Sequence, residues 1–66
     1  MWIARDKDGS LKVFMDEPVR ENDHWHYRMD KSPNWRPLND DSFPEITWES
    51  EPLEIKDELY FGIYLW

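Results

Sequence analysis

Apolar and polar positions alternate with a period of two along much of this chain, and no stretch of useful length carries the three-to-four spacing of an amphipathic helix. Near the start, "MWIARD" and "LKVFM" are β-prone runs flanking "KDGS". The Asp8-Gly9 dipeptide accepts the positive φ of a type I′ or G1-bulge turn, so the pair predicts a β-hairpin. In its second run Leu11, Val13 and Met15 share one face, and Lys12 and Phe14 the other. Pro18 has no amide proton for a ladder and ends the run. After the polar turn "END", the stretch "HWHYRM" places Trp25, Tyr27 and Met29 on one side and His24, His26 and Arg28 on the other, the alternation of a half-buried strand. "DKSPN" is a loop by composition, and Trp35-Arg36 before Pro37 is biased toward extended backbone. Ser42 with Glu45 three residues on forms a capping-box pattern, which predicts one helical turn at 42–45. "PLEIK" alternates again. The expected architecture is mainly β, a small antiparallel meander or compact sheet of four to six short strands with that single helical turn, in one domain spanning 1–66.

The run "LYFGIYLW" breaks the alternation. Leu59, Phe61, Ile63 and Leu65 take one face, and Tyr60, Gly62, Tyr64 and Trp66 the other, so both faces ask for cover. Two arrangements supply it: a central strand of the monomer's own sheet, or a homodimer interface built from Tyr60, Phe61, Ile63, Tyr64, Leu65 and Trp66. The homodimer is the expectation, with Glu54, Asp57 and Glu58 as charged gatekeepers beside an aggregation-prone segment. Eight uncharged residues fall well short of the roughly 20 a membrane-spanning helix needs, and no membrane partner is expected.

Composition changes this picture in two ways. The 66 residues include no cysteine, which excludes disulfides and thiolate metal sites and fits a reducing, cytoplasmic setting. A chain of this length has a marginal core, so the 17% aromatic content must supply most of the packing. The net charge of −7 is also unevenly placed. Residues 1–36 carry seven Lys/Arg and seven Asp/Glu, whereas residues 37–66 carry eight acidic residues against Lys56 alone. The acidic half repels a nucleic-acid backbone, so duplex nucleic acid is not an expected partner.

Catalytic patterns are absent from the sequence: there is no nucleophile elbow, no Gly-rich phosphate loop and no cysteine nucleophile. No enzymatic activity and no cofactor are expected. His24-x-His26 puts two imidazoles on one strand face, but no third ligand has recognisable spacing, so no metal site is expected. Two binding patterns remain. In the neutral half, rings and guanidinium groups interleave, as in Trp2/Arg5, and Trp25, Arg28, Trp35, Arg36 and Arg20 form a candidate set for a small nucleotide held by stacking and phosphate contacts. The same residues also suit a ring-built core with arginines packed over ring faces. In the acidic half, Asp40, Asp41, Glu45, Glu49, Glu51 and Glu54 form a candidate face for a basic groove on another protein, imitating nucleic-acid charge. They equally suit a solvated surface that keeps the chain soluble.

"WIARDKDGSLKVF" and "DSFPEITWESEPLEI" resemble short uncharacterised proteins encoded by phages and mobile elements of gut anaerobic bacteria, which commonly open on Trp, Ala-Arg-Asp and an Asp-Gly turn and close on Phe-Pro-Glu-Val/Ile-Thr-Trp-Glu. The likeness covers about half of the chain, and "LYFGIYLW" departs from it. It implies a small accessory protein acting by binding, in host takeover or counter-defence. The expected partner is a host protein with a basic groove; the alternative is a small nucleotide immune signal.

The tail gives the first test. Deleting Tyr60–Trp66 is expected to yield a monomer or an unfolded chain, read by light scattering and thermal melting. A truncated protein with unchanged assembly mass and unchanged melting would refute the interface strand.

Overall fold

A computed structural model describes residues 1–56, and the expected interface strand Tyr60–Trp66 lies outside the described residues. Among the described residues six short strands form: β1 (Trp2–Arg5), β2 (Leu11–Phe14), β3 (Val19–Arg20), β4 (Trp25–His26), β5 (Trp35–Pro37) and β6 (Leu53–Glu54). Four of them make an antiparallel sheet in the order β5-β2-β1-β6, and β3 pairs with β4 as a separate ribbon. The mainly β class follows the period-two pattern. The strand order is not a plain meander, because β6 returns beside β1: Ile3 pairs with Leu53, and the amino terminus donates to the Ile55 carbonyl at 2.8 Å.

The β1–β2 hairpin forms where Asp8-Gly9 predicts it. The Gly9 amide donates to the Asp6 carbonyl at 3.0 Å, Gly9 has φ of +97°, and the Asp6 amide donates to Ser10 at 2.8 Å. A turn followed by a left-handed glycine is the G1-bulge arrangement. The Asp8 carboxylate accepts the Ser10 amide at 2.9 Å, and that bond, with the Ser10 hydroxyl, holds its pKa below the ordinary carboxylate value. The "END" turn closes the ribbon, with the Glu21 amide on the His24 carbonyl at 2.8 Å.

Both faces of the sheet are covered. Adjacent residues Ile3 and Ala4 are 0% and 1% exposed, although strand geometry sends them to opposite sides. Ile3, Leu11 and Val13 pack with Leu38 and Ile46 on one face, with Met1, Phe43 and Ile55 at the margin. Ala4 and Phe14 pack with Trp25 on the other, flanked by Trp2, Tyr27 and Trp48. The Lys12/Phe14 face of β2 is therefore closed over by the ribbon, and Phe14 is fully buried.

Two sequence expectations give way here. Among the described residues there is no helix; 42–45 belongs to successive turns, with Ile46 donating to the Phe43 carbonyl at 3.0 Å. Phe43 has φ of +52°, outside the right-handed helical region, so Ser42 and Glu45 have no helix to cap. The strand read in "HWHYRM" shrinks to Trp25–His26, because the chain turns at Arg28–Lys31 (Lys31 amide to Arg28 carbonyl, 3.0 Å). Met29, at that turn, is 83% exposed.

The two covers are tied to the sheet at neighbouring residues. Arg5, on the same face as Ile3, sends Nε to the Ile46 carbonyl (2.6 Å) and Nη1 to the carbonyls of Gly9 (2.7 Å) and Asp40 (2.9 Å). Its Nη2 donates to the Ser42 (2.9 Å) and Phe43 (3.1 Å) carbonyls. A guanidinium has five N–H donors, so these five bonds use all of them. On the opposite face, the Arg5 carbonyl accepts Trp25 Nε1 at 3.1 Å. The Asp6 carboxylate, 5% exposed, accepts the Trp25 amide at 2.8 Å and meets Lys12 Nζ at 2.7 Å. A buried carboxylate is tolerable only with such partners.

Lysine has three donors on one nitrogen and cannot span five carbonyls. Arg5→Lys is therefore expected to destabilise the fold by at least about 2 kcal/mol, and Arg5→Met by no less, since bonds from a charged donor are worth roughly 1.5–3 kcal/mol each. Urea unfolding of the two variants checks this; midpoints equal to wild type would contradict the assignment.

Candidate functional site

The acidic stretch is built from three consecutive turns rather than a loose loop. Ser42 donates its amide to the Asn39 carbonyl at 3.0 Å, Ile46 to Phe43 at 3.0 Å, and Ser50 to Thr47 at 3.1 Å. Side chains reinforce them: Asn39 Oδ1 accepts the Asp41 amide at 2.9 Å, and Ser50 Oγ accepts the Thr47 amide at 3.0 Å. Pro44 follows Phe43 at the second position of its turn, where its fixed φ is favourable. The left-handed Phe43 is an uncommon conformation for a bulky residue. It is held because its carbonyl accepts both Arg5 Nη2 and the Ile46 amide, while its ring packs against the Ile3 cluster.

The third turn is fixed from the ribbon. Arg20 Nη2 donates to the Trp48 carbonyl (2.9 Å) and the Ser50 carbonyl (3.1 Å). Its guanidinium carbon lies 4.7 Å from the Trp25 ring centroid and 5.0 Å from that of Trp48, and the two rings meet edge to face at 6.1 Å. Arginine over tryptophan is the stronger form of the cation–π contact.

On this frame Asp40, Asp41, Glu45, Glu49, Glu51 and Glu54 are all exposed. Asp40 has a structural task as well, since its Oδ1 accepts the Leu11 amide at 3.2 Å where β2 begins. Among the described residues, none of the six carboxylates takes part in an ion pair; the pairs are Lys12–Asp6, His24–Asp23 and Arg28–Asp30. Four of the six lie on the successive turns, Glu51 directly follows the third, and Glu54 lies on β6.

The ring and arginine set does not converge on one place. Trp25 is 4% exposed and belongs to the core, and Arg20 is committed to the Trp48 turn. Arg28 lies on the exposed Arg28–Lys31 turn, 3.4 Å from Asp30. Arg36 Nη1 donates to the Trp35 carbonyl at 2.9 Å on strand β5. Trp35, 36% exposed, shares a cavity of about 160 Å³ with Trp25, and none of the set's arginines lines it. His24 and His26 also line it, their rings 6.0 Å apart. His24 Nδ1 faces Asp23 Oδ1 at 2.9 Å and His26 Nδ1 faces the Tyr27 carbonyl at 2.6 Å. Among the described residues no group of three or more His, Asp or Glu is placed to hold a metal ion.

Sequence reasoning overlooked Arg5, Asp6 and Lys12. Arg5 was visible only as a neighbour of Trp2, and nothing in the local sequence points to carbonyls 35 to 41 residues away. Comparison with protein-family models, curated proteins and solved structures finds no match to this chain.

Proposed function

We propose that this is a non-enzymatic binding protein, of the phage accessory kind its terminal motifs resemble, which presents the acidic turns 40–51 with Glu54 to a basic groove on a host protein. The observation that carries this reading is the combination of exposed, unpaired carboxylates with a rigid support. Asp40, Asp41, Glu45, Glu49, Glu51 and Glu54 face solvent without an ion pair among the described residues, while Arg5 and Arg20 grip the backbone that displays them. Fixed charges cost less ordering entropy on association than charges on a mobile loop. Carboxylates spaced along consecutive turns steer a positively charged partner and compete for it with nucleic acid.

Binding of this kind weakens as salt rises, because exposed charges are screened within about 8 Å at physiological ionic strength. Wild type and a Glu45→Lys/Glu49→Lys/Glu51→Lys variant are compared as baits in host lysate, with duplex DNA as competitor. The expected result is a basic nucleic-acid-binding protein captured by wild type, released by salt and by DNA, and bound at least about tenfold more weakly by the variant. Capture unaffected by the triple reversal in a variant that melts normally, or no basic partner at all, would refute the proposal.

A further inference from the structure

The cavity between the sheet and the β3–β4 ribbon has a composition that the acidic turns do not explain. Its inner lining is Phe14 and Trp25, both buried, and its outer aromatic lining is Tyr27 and the partly exposed Trp35. Among the described residues the polar lining is Lys12, His24 and His26, with no carboxylate. We propose that this cavity binds a single six-membered aromatic ring bearing an anionic substituent, as in a pyrimidine nucleotide or an aromatic carboxylic acid.

Size sets the first limit. A volume of about 160 Å³ is close to the roughly 150 Å³ of an apolar cavity that takes up benzene, and small beside the 300–1,000 Å³ of drug-sized sites. One ring fits. The walls supply π faces at several tilts: Phe14 and Trp35 meet at 6.3 Å and 34°, and His26 and Tyr27 at 4.4 Å and 30°. A planar ligand gains from stacking on such faces whatever its substituents.

Charge sets the second. Among the described residues Lys12 carries the one fixed charge in the lining, and its Nζ lies 4.8 Å from the Trp35 ring centroid. Asp6 Oδ2 anchors that ammonium at 2.7 Å, and an ammonium has three donors, so the anchor leaves donors for a ligand anion. An aromatic cage for an alkylammonium ligand needs its ring faces vacant. Here Lys12 already occupies the Trp35 face and would repel a second cation. The whole site is drawn from residues 12–35, within the half of the chain whose charges balance, so the acidic turns do not line it.

The test titrates full-length protein with uridine monophosphate, benzoate and choline in parallel, following backbone and aromatic NMR shifts. The expected result is saturable binding of uridine monophosphate or benzoate, with shifts centred on Lys12, Tyr27, Trp35 and the two histidines. The tighter of the two identifies the ring as pyrimidine or aromatic acid. Trp35→Leu and Lys12→Gln are each expected to weaken that binding about tenfold. Should either variant fail to fold, the wild-type shift map decides alone. No saturable binding of either anion, shifts that map away from the cavity, choline binding as tightly as the anions, or folded variants that bind like wild type would overturn the proposal.

Discussion

The guanidinium of Arg5 sits where β1 ends, with five donors and five backbone carbonyls gathered round it from residues 9, 40, 42, 43 and 46. None of these acceptors is charged, so the group acts as a connector and not as half of an ion pair. The carbonyls belong to turns, which leave backbone acceptors without strand or helix partners. A single planar fork satisfies five of them together and fixes the spacing of the segments that carry them. Leu38, Phe43 and Ile46 reach the Ile3–Leu11–Val13 face only because that segment is folded back over the sheet. Arg5 is the largest single tie on that cover, beside the Leu38 amide on the Leu11 carbonyl at 2.9 Å and the Asp40 carboxylate on the Leu11 amide.

The next residue performs the matching task on the opposite face. Asp6 receives the Trp25 amide and Lys12, while the Arg5 carbonyl receives Trp25 Nε1 and the Lys7 amide reaches the Asp23 carbonyl at 3.1 Å. The ribbon is thus joined to the sheet at three successive residues. A short chain without disulfides cannot bury a thick core. This one spreads two thin layers over the two sides of a single sheet, and each layer is locked at the same strand end. Arg20 then closes the circuit by joining the ribbon to the Trp48 turn, so the acidic turns are gripped from both faces. The proposed binding surface and the proposed ring site both draw on this frame, the first on its turns and the second on the gap beneath the ribbon.

Features governed by near neighbours were legible in the sequence. Asp8-Gly9 specified its hairpin, the polar "END" run specified the ribbon turn, and the ring content implied an aromatic core, which Phe14 and Trp25 provide. Features that depend on distant groups were not. The capping-box pattern at Ser42 and Glu45 was overridden because Arg5 and the core hold Phe43 in a left-handed conformation that no local pattern encodes. The place of β6 beside β1 joins residues some fifty positions apart, and nothing local signals it. The same limit applied to the candidate site. Exposure of the six carboxylates followed from their type, whereas Trp25 and Arg20, alike in sequence to Trp35 and Arg36, proved to be core and clamp. Which tryptophan is covered is decided by the ribbon's docking, a tertiary event.

The central claim is that the Arg5 guanidinium is held by five simultaneous hydrogen bonds. Low-temperature proton–nitrogen NMR of the guanidinium tests it directly, because a group with every N–H engaged neither rotates freely about its C–N bonds nor exchanges quickly with water. The account predicts an Arg5 Nε–H signal and four separate Nη–H signals, all exchanging far more slowly than those of free arginine. A single averaged Nη signal with rapid solvent exchange would contradict it.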